Sequence, residues 1–238
     1  MSKKSSPETL SDRLADAFGP SLRAVVVYGS AVAGEQIERQ SDINVLVIAD
    51  DLSLARLRAA GAATREWVEA GNPAPLILTS DDWRGAADVF PMEYADILER
   101  HRVLCGTLPT DGMTVSPANL RHQLEQDARG KLLHLRQAFV AAADDETAQL
   151  ELLTLTLSKL MILYRSLLRL HGRQPPRDYG ELTQAAGELA GFEAAAVLPV
   201  VQHVRGSQRI AGRDAGAAAA GYLIALEQFV SHLDSAQH

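Results

Sequence analysis

Read for its alternation of apolar and polar positions, the chain divides into a strand-bearing half and a helical half. Residues 22–28 and 43–49 are the strongest strand segments, short β-branched runs bounded by glycine and acidic residues. Leu10, Leu14 and Phe18 recur at helical spacing before Gly19-Pro20, which predicts a helix over residues 8–18. A second helix is predicted over about 54–70, with Ser53 as its cap and Leu54, Leu57, Ala60 and Trp67 as its inner face. Residues 75–79 read as a third short strand, and Ser80-Asp81-Asp82 as the start of a helical turn. Residues 93–105 read as a helix followed by a last strand. Strands alternating with helices describe an α/β (or α+β) sheet domain.

Residues 107–117 have the composition of a linker, and no strand pattern follows them. Ser116-Pro117 is a helix opening, a cap followed by a first-turn proline. Leu120, Leu124, Ala128, Leu132, Leu135 and Phe139 then share one helical face. Asp144-Asp145-Glu146 begins a second, wide-faced helix running to about His171, carrying Leu153, Leu157, Leu160, Tyr164 and Leu167. Asp178 to Glu181 fits a capping box for a third helix, and a final helix carries Tyr222, Leu226, Phe229 and Leu233. The pattern therefore predicts a sheet domain over residues 1–107 and an all-α bundle of about five helices over residues 118–238.

Charge sharpens this division. The net charge of −7 falls mostly on the first half, where residues 1–117 hold 17 acids against 11 bases; residues 118–238 hold 13 against 12. An acidic first domain repels polyanions, which argues against duplex nucleic acid as a partner but not against a single metal-complexed nucleotide. The lone Cys105 excludes an internal disulfide framework and fits a reducing cytoplasm; it reads as a packed strand residue. Residues 1–7 carry two lysines with no apolar run behind them, so they do not read as a signal peptide. The leucine-rich helix carries Lys159, Arg165 and Arg169, so it does not read as a membrane span.

The chemistry concentrates where the two strong strands meet. Val25-Val26-Val27-Tyr28 runs into Gly29-Ser30, and after a spacer of eleven residues Asp42-Ile43-Asn44 opens the second strand. Gly29 permits close backbone approach. A helix opening after the turn would turn free N–H groups toward an anion. Alternate strand residues share a face, so Asp42 and Asn44 project together. That geometry suits a nucleoside triphosphate held through a metal.

Gly-Ser, a spacer and then Asp-x-Asp on a strand is the signature of the nucleotidyltransferase superfamily that includes DNA polymerase β. The chain resembles its small bacterial minimal and antibiotic-modifying members over roughly residues 20–107, with a weaker likeness in the helical remainder. The resemblance implies that Gly29 and Ser30 hold the phosphates of ATP or another nucleoside triphosphate. It implies that Asp42 binds Mg²⁺, with Asn44 standing where the second carboxylate is expected. It also implies a third acid on a later strand, but Leu76-Ile77-Leu78-Thr79 contains none. Asp81 and Asp82, or Glu93 and Asp96, are the nearest substitutes, and the last two share a helical face. Asn44 offers a carbonyl oxygen but no charge, which weakens its hold on a hard divalent ion.

Two readings follow. The first is an enzyme that transfers a nucleoside monophosphate to a hydroxyl of a small molecule or protein, the helical bundle selecting that acceptor. The second is a non-catalytic nucleotide-binding or regulatory member, antitoxin-like, with a homodimer as one of its forms. Arg165 and Arg169 on the central helix, and Arg205, Arg209 and Arg213 beyond it, repeat a four-residue spacing that suits helix ends and solvent as well as a phosphate. Arg129 to His134 and Arg165 to His171 match the Arg–His spacing of certain helical RNases. With 19 Arg and 7 His in the chain, chance supplies such hits.

Overall fold

The computed structural model describes residues 6–29 and 43–235. Ser6 opens α1 (Pro7–Phe18): its hydroxyl accepts from the Thr9 amide, and Pro7 sits where no N–H is required. The two apolar runs form β1 (Leu22–Tyr28) and β2 (Asn44–Ala49), an antiparallel pair with Tyr28 opposite Asn44 and Val26 opposite Leu46. The helix α2 (Leu54–Glu69) leads to β3 (Leu76–Leu78), which joins β2 in parallel. Two short helices, α3 (Ser80–Gly85) and α4 (Pro91–Glu99), precede β4 (His101–Gly106), antiparallel to β1. The sheet order is β3-β2-β1-β4.

Because β1 and β2 are apolar on both sides, each face of the sheet carries its own core. Val25, Val27, Val45, Val47 and Ala49 pack with Leu10, Leu14 and Phe18 of α1 and with Ala60 and Trp67 of α2. Ala24, Val26, Leu46 and Ile48 pack on the other face with Trp83 of α3 and with Tyr94 and Ile97 of α4. The period of two then fixes the next residues outward. Tyr28 continues the Ala24–Val26 side, and Asn44 continues the Leu46–Ile48 side, so both belong to the face covered by α3 and α4.

Two expectations change here. Ala60 and Trp67 of α2 are buried, but Leu54 is 63% and Leu57 40% exposed. Arg56 Nη1 donates to the Ala17 carbonyl at 2.9 Å, so a polar edge of the first turn meets the end of α1 instead of the two leucines. Ser53 occupies the cap position without a side-chain cap bond; its amide donates to Asp51 Oδ1 at 2.9 Å. Residues 107–116, expected as a linker, are packed onto the sheet unit. Thr107 N donates to the Arg23 carbonyl at 3.0 Å, Leu108 is buried, and Met113 and Val115 rest on the Trp83 core.

The chain forms two compact units, one ending at Ser116 and one beginning at Pro117. The second consists of α5 (Pro117–Ala142), α6 (Glu146–Leu170), α7 (Tyr179–Ala190), α8 (Leu198–Val204) and α9 (Ala215–Ser235), with no strand among its described residues. Asp145 caps α6 by accepting from Thr147 and Ala148 amides, and Asp178 caps α7 through Gly180 and Glu181. Tyr164 of α6 anchors the core, stacked on Phe192 at 5.2 Å and edge-on to Phe229 at 5.3 Å. Among the described residues no helix is long and apolar enough to cross a membrane.

One polar residue in this unit works against folding. Burial of Lys131 on α5, with Lys159 of α6 as a like-charge neighbour, pushes its ammonium down from 10.5 to about 8. The folded state therefore disfavours the bound proton. Below about pH 8 both states are protonated and the cost is complete. Between about 8 and 10.5 the unfolded chain binds the extra proton, so stability rises with pH until the cost disappears. Lys131→Met is expected to stabilise the bundle at pH 7 and to lose that advantage by about pH 10.5, as read by urea denaturation across that range. A gap that stays constant with pH would remove Lys131 as its source.

Candidate functional site

The candidate site forms where β1 ends, β2 begins and α4 packs beneath them. Gly29 follows Tyr28 at φ +78°, a left-handed conformation that glycine adopts without strain. A Cβ at Gly29 would lie 3.3 Å from Asn44 Nδ2 and 4.0 Å from Asp96 Oδ2. The missing side chain thus leaves a small cradle between a strand amide and a helix carboxylate. Asp96 is half-buried, while Glu93, three residues earlier on α4, is exposed. Both act on the Tyr28 phenol: burial first, then the charges of Glu93 and Asp96, raise its pKa. Four of the residues singled out in the sequence therefore belong to one neighbourhood: Gly29, Asn44, Glu93 and Asp96. Ser30 and Asp42 lie outside the described residues.

The position of α4 is held by the core beneath it. Trp83 and Tyr94 stack with centroids 4.3 Å apart, and Tyr94 Oη donates to the Trp83 carbonyl at 2.8 Å. At the far end of α4, His101 Nδ1 donates to the Ile97 carbonyl at 2.7 Å, tying the helix to β4. Asp96 is therefore presented by an element braced at both ends, the condition under which a ligating group keeps its geometry.

Other acids have local explanations. Asp82 completes a capping box with Thr79, its carboxylate accepting from the Thr79 amide at 3.0 Å while the Thr79 hydroxyl accepts from Asp82 N. Asp81 pairs with Arg84 at 3.6 Å. Both follow β3, whose partner residues in β2 are Leu46 to Ile48, so they lie toward the end of β2 away from Asn44. A hollow of about 600 Å³ at that end is lined by Arg23, Asp50, Ser80 and Arg84. Its charges are already satisfied: Arg23 Nε pairs with Asp50, and Ser80 Oγ donates to Asp50 Oδ1 at 2.8 Å.

The helical arginines also find partners within their own unit. Arg165 is 4% exposed, and its guanidinium and that of Arg205 both lie over the Tyr179 ring, 5.6 and 4.7 Å from its centroid. Arg205 further pairs with Asp178 at 3.7 Å, and Arg129 with Asp234. The arginines of the two Arg–His spacings, Arg129 and Arg165, thus contact other residues of the bundle.

Among the described residues no three His, Cys, Asp or Glu side chains cluster closely enough for a metal. The donors around Gly29 nonetheless suit a hard divalent cation in kind. Asp96 brings an anionic carboxylate oxygen to the cradle, Asn44 brings a side-chain amide whose Nδ2 lies nearest it, and the glycine leaves room beside them. Tyr28 is the neighbour that sequence reasoning passed over as a site residue. Counting by twos from Val26 would have put it on this face.

No protein-family model matches the chain, and no curated protein matches its sequence. Among solved structures the chain is similar to the spectinomycin adenyltransferase AAD(9) from Enterococcus faecialis, solved with ATP and spectinomycin. The TM-score is 0.59 at 11% sequence identity, covering 95% of this chain and 97% of that one. At this identity the likeness speaks for the fold: an α/β nucleotidyltransferase-like domain with a helical C-terminal region.

Proposed function

We propose that the chain is a nucleotidyltransferase that binds a metal-complexed nucleoside triphosphate beside Gly29 and transfers the nucleoside monophosphate to a hydroxyl. The observation that carries this reading is the meeting of Gly29, Asn44 and Asp96 within a fold similar to an adenyltransferase. In the proposed reaction the acceptor oxygen attacks the α-phosphorus, pyrophosphate leaves, and a carboxylate takes the hydroxyl proton. Glu93, exposed and three residues from Asp96, suits that last role. Asn44 and Asp96 would hold the cation, joined by Asp42 on the strength of the sequence motif. When bound, Mg²⁺ would neutralise phosphate charge. The open backbone at Gly29 lets a phosphate come close without a side chain in the way.

ATP and a hydroxyl-bearing small molecule are the first ligands to test, since the similar structure was solved with ATP and spectinomycin. A ligand that binds only the native state raises its stability by about 2.7 kcal/mol at a hundredfold excess over Kd. Nucleoside triphosphates are expected to raise the melting temperature with Mg²⁺ and to do little after EDTA. If no triphosphate shifts the melt in the presence of Mg²⁺, the assignment fails.

A further inference from the structure

We infer that His171 and His232 form an acid-sensitive latch, which holds the last turn of α9 against α5 and α6 and loosens it when the imidazoles take up protons. The latch lies within the helical unit and does not depend on nucleotide binding. His171 closes α6, its amide donating to the Leu167 and Leu168 carbonyls at 3.2 and 3.1 Å, while His232 stands in the last turn of α9. Their ring centroids are 6.1 Å apart. From α5, Arg121 Nη2 donates to the Leu233 carbonyl at 3.0 Å, and Arg129 pairs with Asp234. Three helices therefore meet around His232, and Leu233 beside it is buried.

His232 Nε2 is shielded from solvent and has no hydrogen-bond partner among the described residues. A doubly protonated ring must carry an N–H there, so protonation leaves a buried donor without an acceptor. The acids at this end are engaged: Glu125 pairs with Arg121 at 2.8 Å, and Asp234 with Arg129. Arg169 adds a further positive charge in the last turn of α6. The carbonyl end of α9 favours a cation, yet burial, then His171 and Arg121, hold the His232 imidazole below its ordinary 6.5. The released turn therefore binds the extra proton more readily than the docked one. Above about pH 6.5 the ring is neutral in both forms and docking carries no penalty. As pH falls through 6.5 the released turn charges first and docking weakens, until below the lowered value both forms are charged and the penalty is complete.

The experiment is amide hydrogen exchange on the whole chain between about pH 7.5 and about pH 5, with each rate divided by its intrinsic rate so that only protection is compared. Amides from Val230 to Asp234 are expected to lose protection as pH falls through 6.5, while those from Leu157 to Tyr164 in the middle of α6 keep theirs. His232→Gln, which keeps a polar side chain that does not titrate, is expected to flatten the pH dependence. His171→Gln, at an exposed position, is expected to reduce it without disturbing the core, and it decides the matter if urea denaturation shows His232→Gln unfolded at neutral pH. His134→Gln, exposed on α5, is expected to behave as wild type. Protection of the α9 turn that does not change with pH overturns the inference, as does a pH dependence that a folded His171 or His232 variant leaves at its wild-type size. Equal loss of protection in the middle of α6 marks general acid unfolding and overturns it too.

Discussion

Trp83→Ala is expected to lower the stability of the sheet unit by about 3–5 kcal/mol, the cost of truncating a large aromatic in a close-packed core. Trp83 is fully buried beneath Ala24, Val26, Leu46 and Ile48 and stacked on Tyr94. Its indole Nε1 donates to the Pro109 carbonyl at 2.7 Å, and that acceptor loses its partner in the variant. Domains of this size are stable by only about 5–15 kcal/mol, so the loss is a large share of the total. Trp83 and Trp67 are the only tryptophans, and Trp67 is buried on the opposite face of the sheet. The fluorescence of Trp67 in Trp83→Ala therefore reports unfolding of this unit without interference. Trp83→Phe keeps an aromatic partner for Tyr94 but loses the hydrogen bond, and is expected to cost about 1–3 kcal/mol. An unchanged urea midpoint in Trp83→Ala would mean that this face of the sheet is not held as described. Because the same stack sets the position of α4, Trp83→Ala should also loosen Asp96 before the sheet itself opens.

What the sequence conveyed depended on how locally each feature is encoded. The runs of β1 and β2 are long, β-branched and bounded by turn residues, so both strands were legible locally, while the face that Asn44 shares with Leu46 and Ile48 became plain only with the packing of the sheet. The α2 face was harder to read, because Leu54 and Leu57 continue the helical spacing yet lie beyond the partner that buries Ala60 and Trp67. Glu93 and Asp96 were legible as a pair on one helical face, but not as neighbours of Gly29. That contact requires β4 to return beside β1 and α4 to cover the Leu46–Ile48 side, and a sheet order is a long-range property that no local spacing encodes. Asp81 and Asp82 were equally good on spacing. A capping box and an arginine three residues away claim them, and the Thr79-Ser80-Asp81-Asp82 string does contain that signal. Arg165 of α6 and Arg205 just after α8 met the same fate: Tyr179, invisible to any periodicity of charge, is the ring both guanidinium groups lie over.

Gly106→Ala is expected to be the most disruptive single-methyl addition in the sheet unit. Gly106 closes β4 at φ +71°, and a Cβ there would lie 1.9 Å from the Arg23 carbonyl oxygen and 2.8 Å from its carbon. Those atoms are backbone of β1, so no side chain can swing aside. The Arg23 carbonyl also accepts from Thr107 N at 3.0 Å, and relieving the clash pulls that bond apart. The left-handed conformation costs an alanine about 1–2 kcal/mol, and forcing a methyl into a packed contact adds about 1–3 kcal/mol. Gly112 separates the two terms. It has φ +73° with nothing within 4 Å of its Cβ position, so Gly112→Ala carries the backbone cost without the collision. Urea denaturation followed by tryptophan fluorescence should place Gly106→Ala well below Gly112→Ala, with Gly112→Ala below wild type by the backbone cost alone. Equal midpoints for the two variants would mean that β4 can slide on β1 to admit the methyl. The pairing of Ala24 with Gly106 would then not be what keeps the end of β4 against β1.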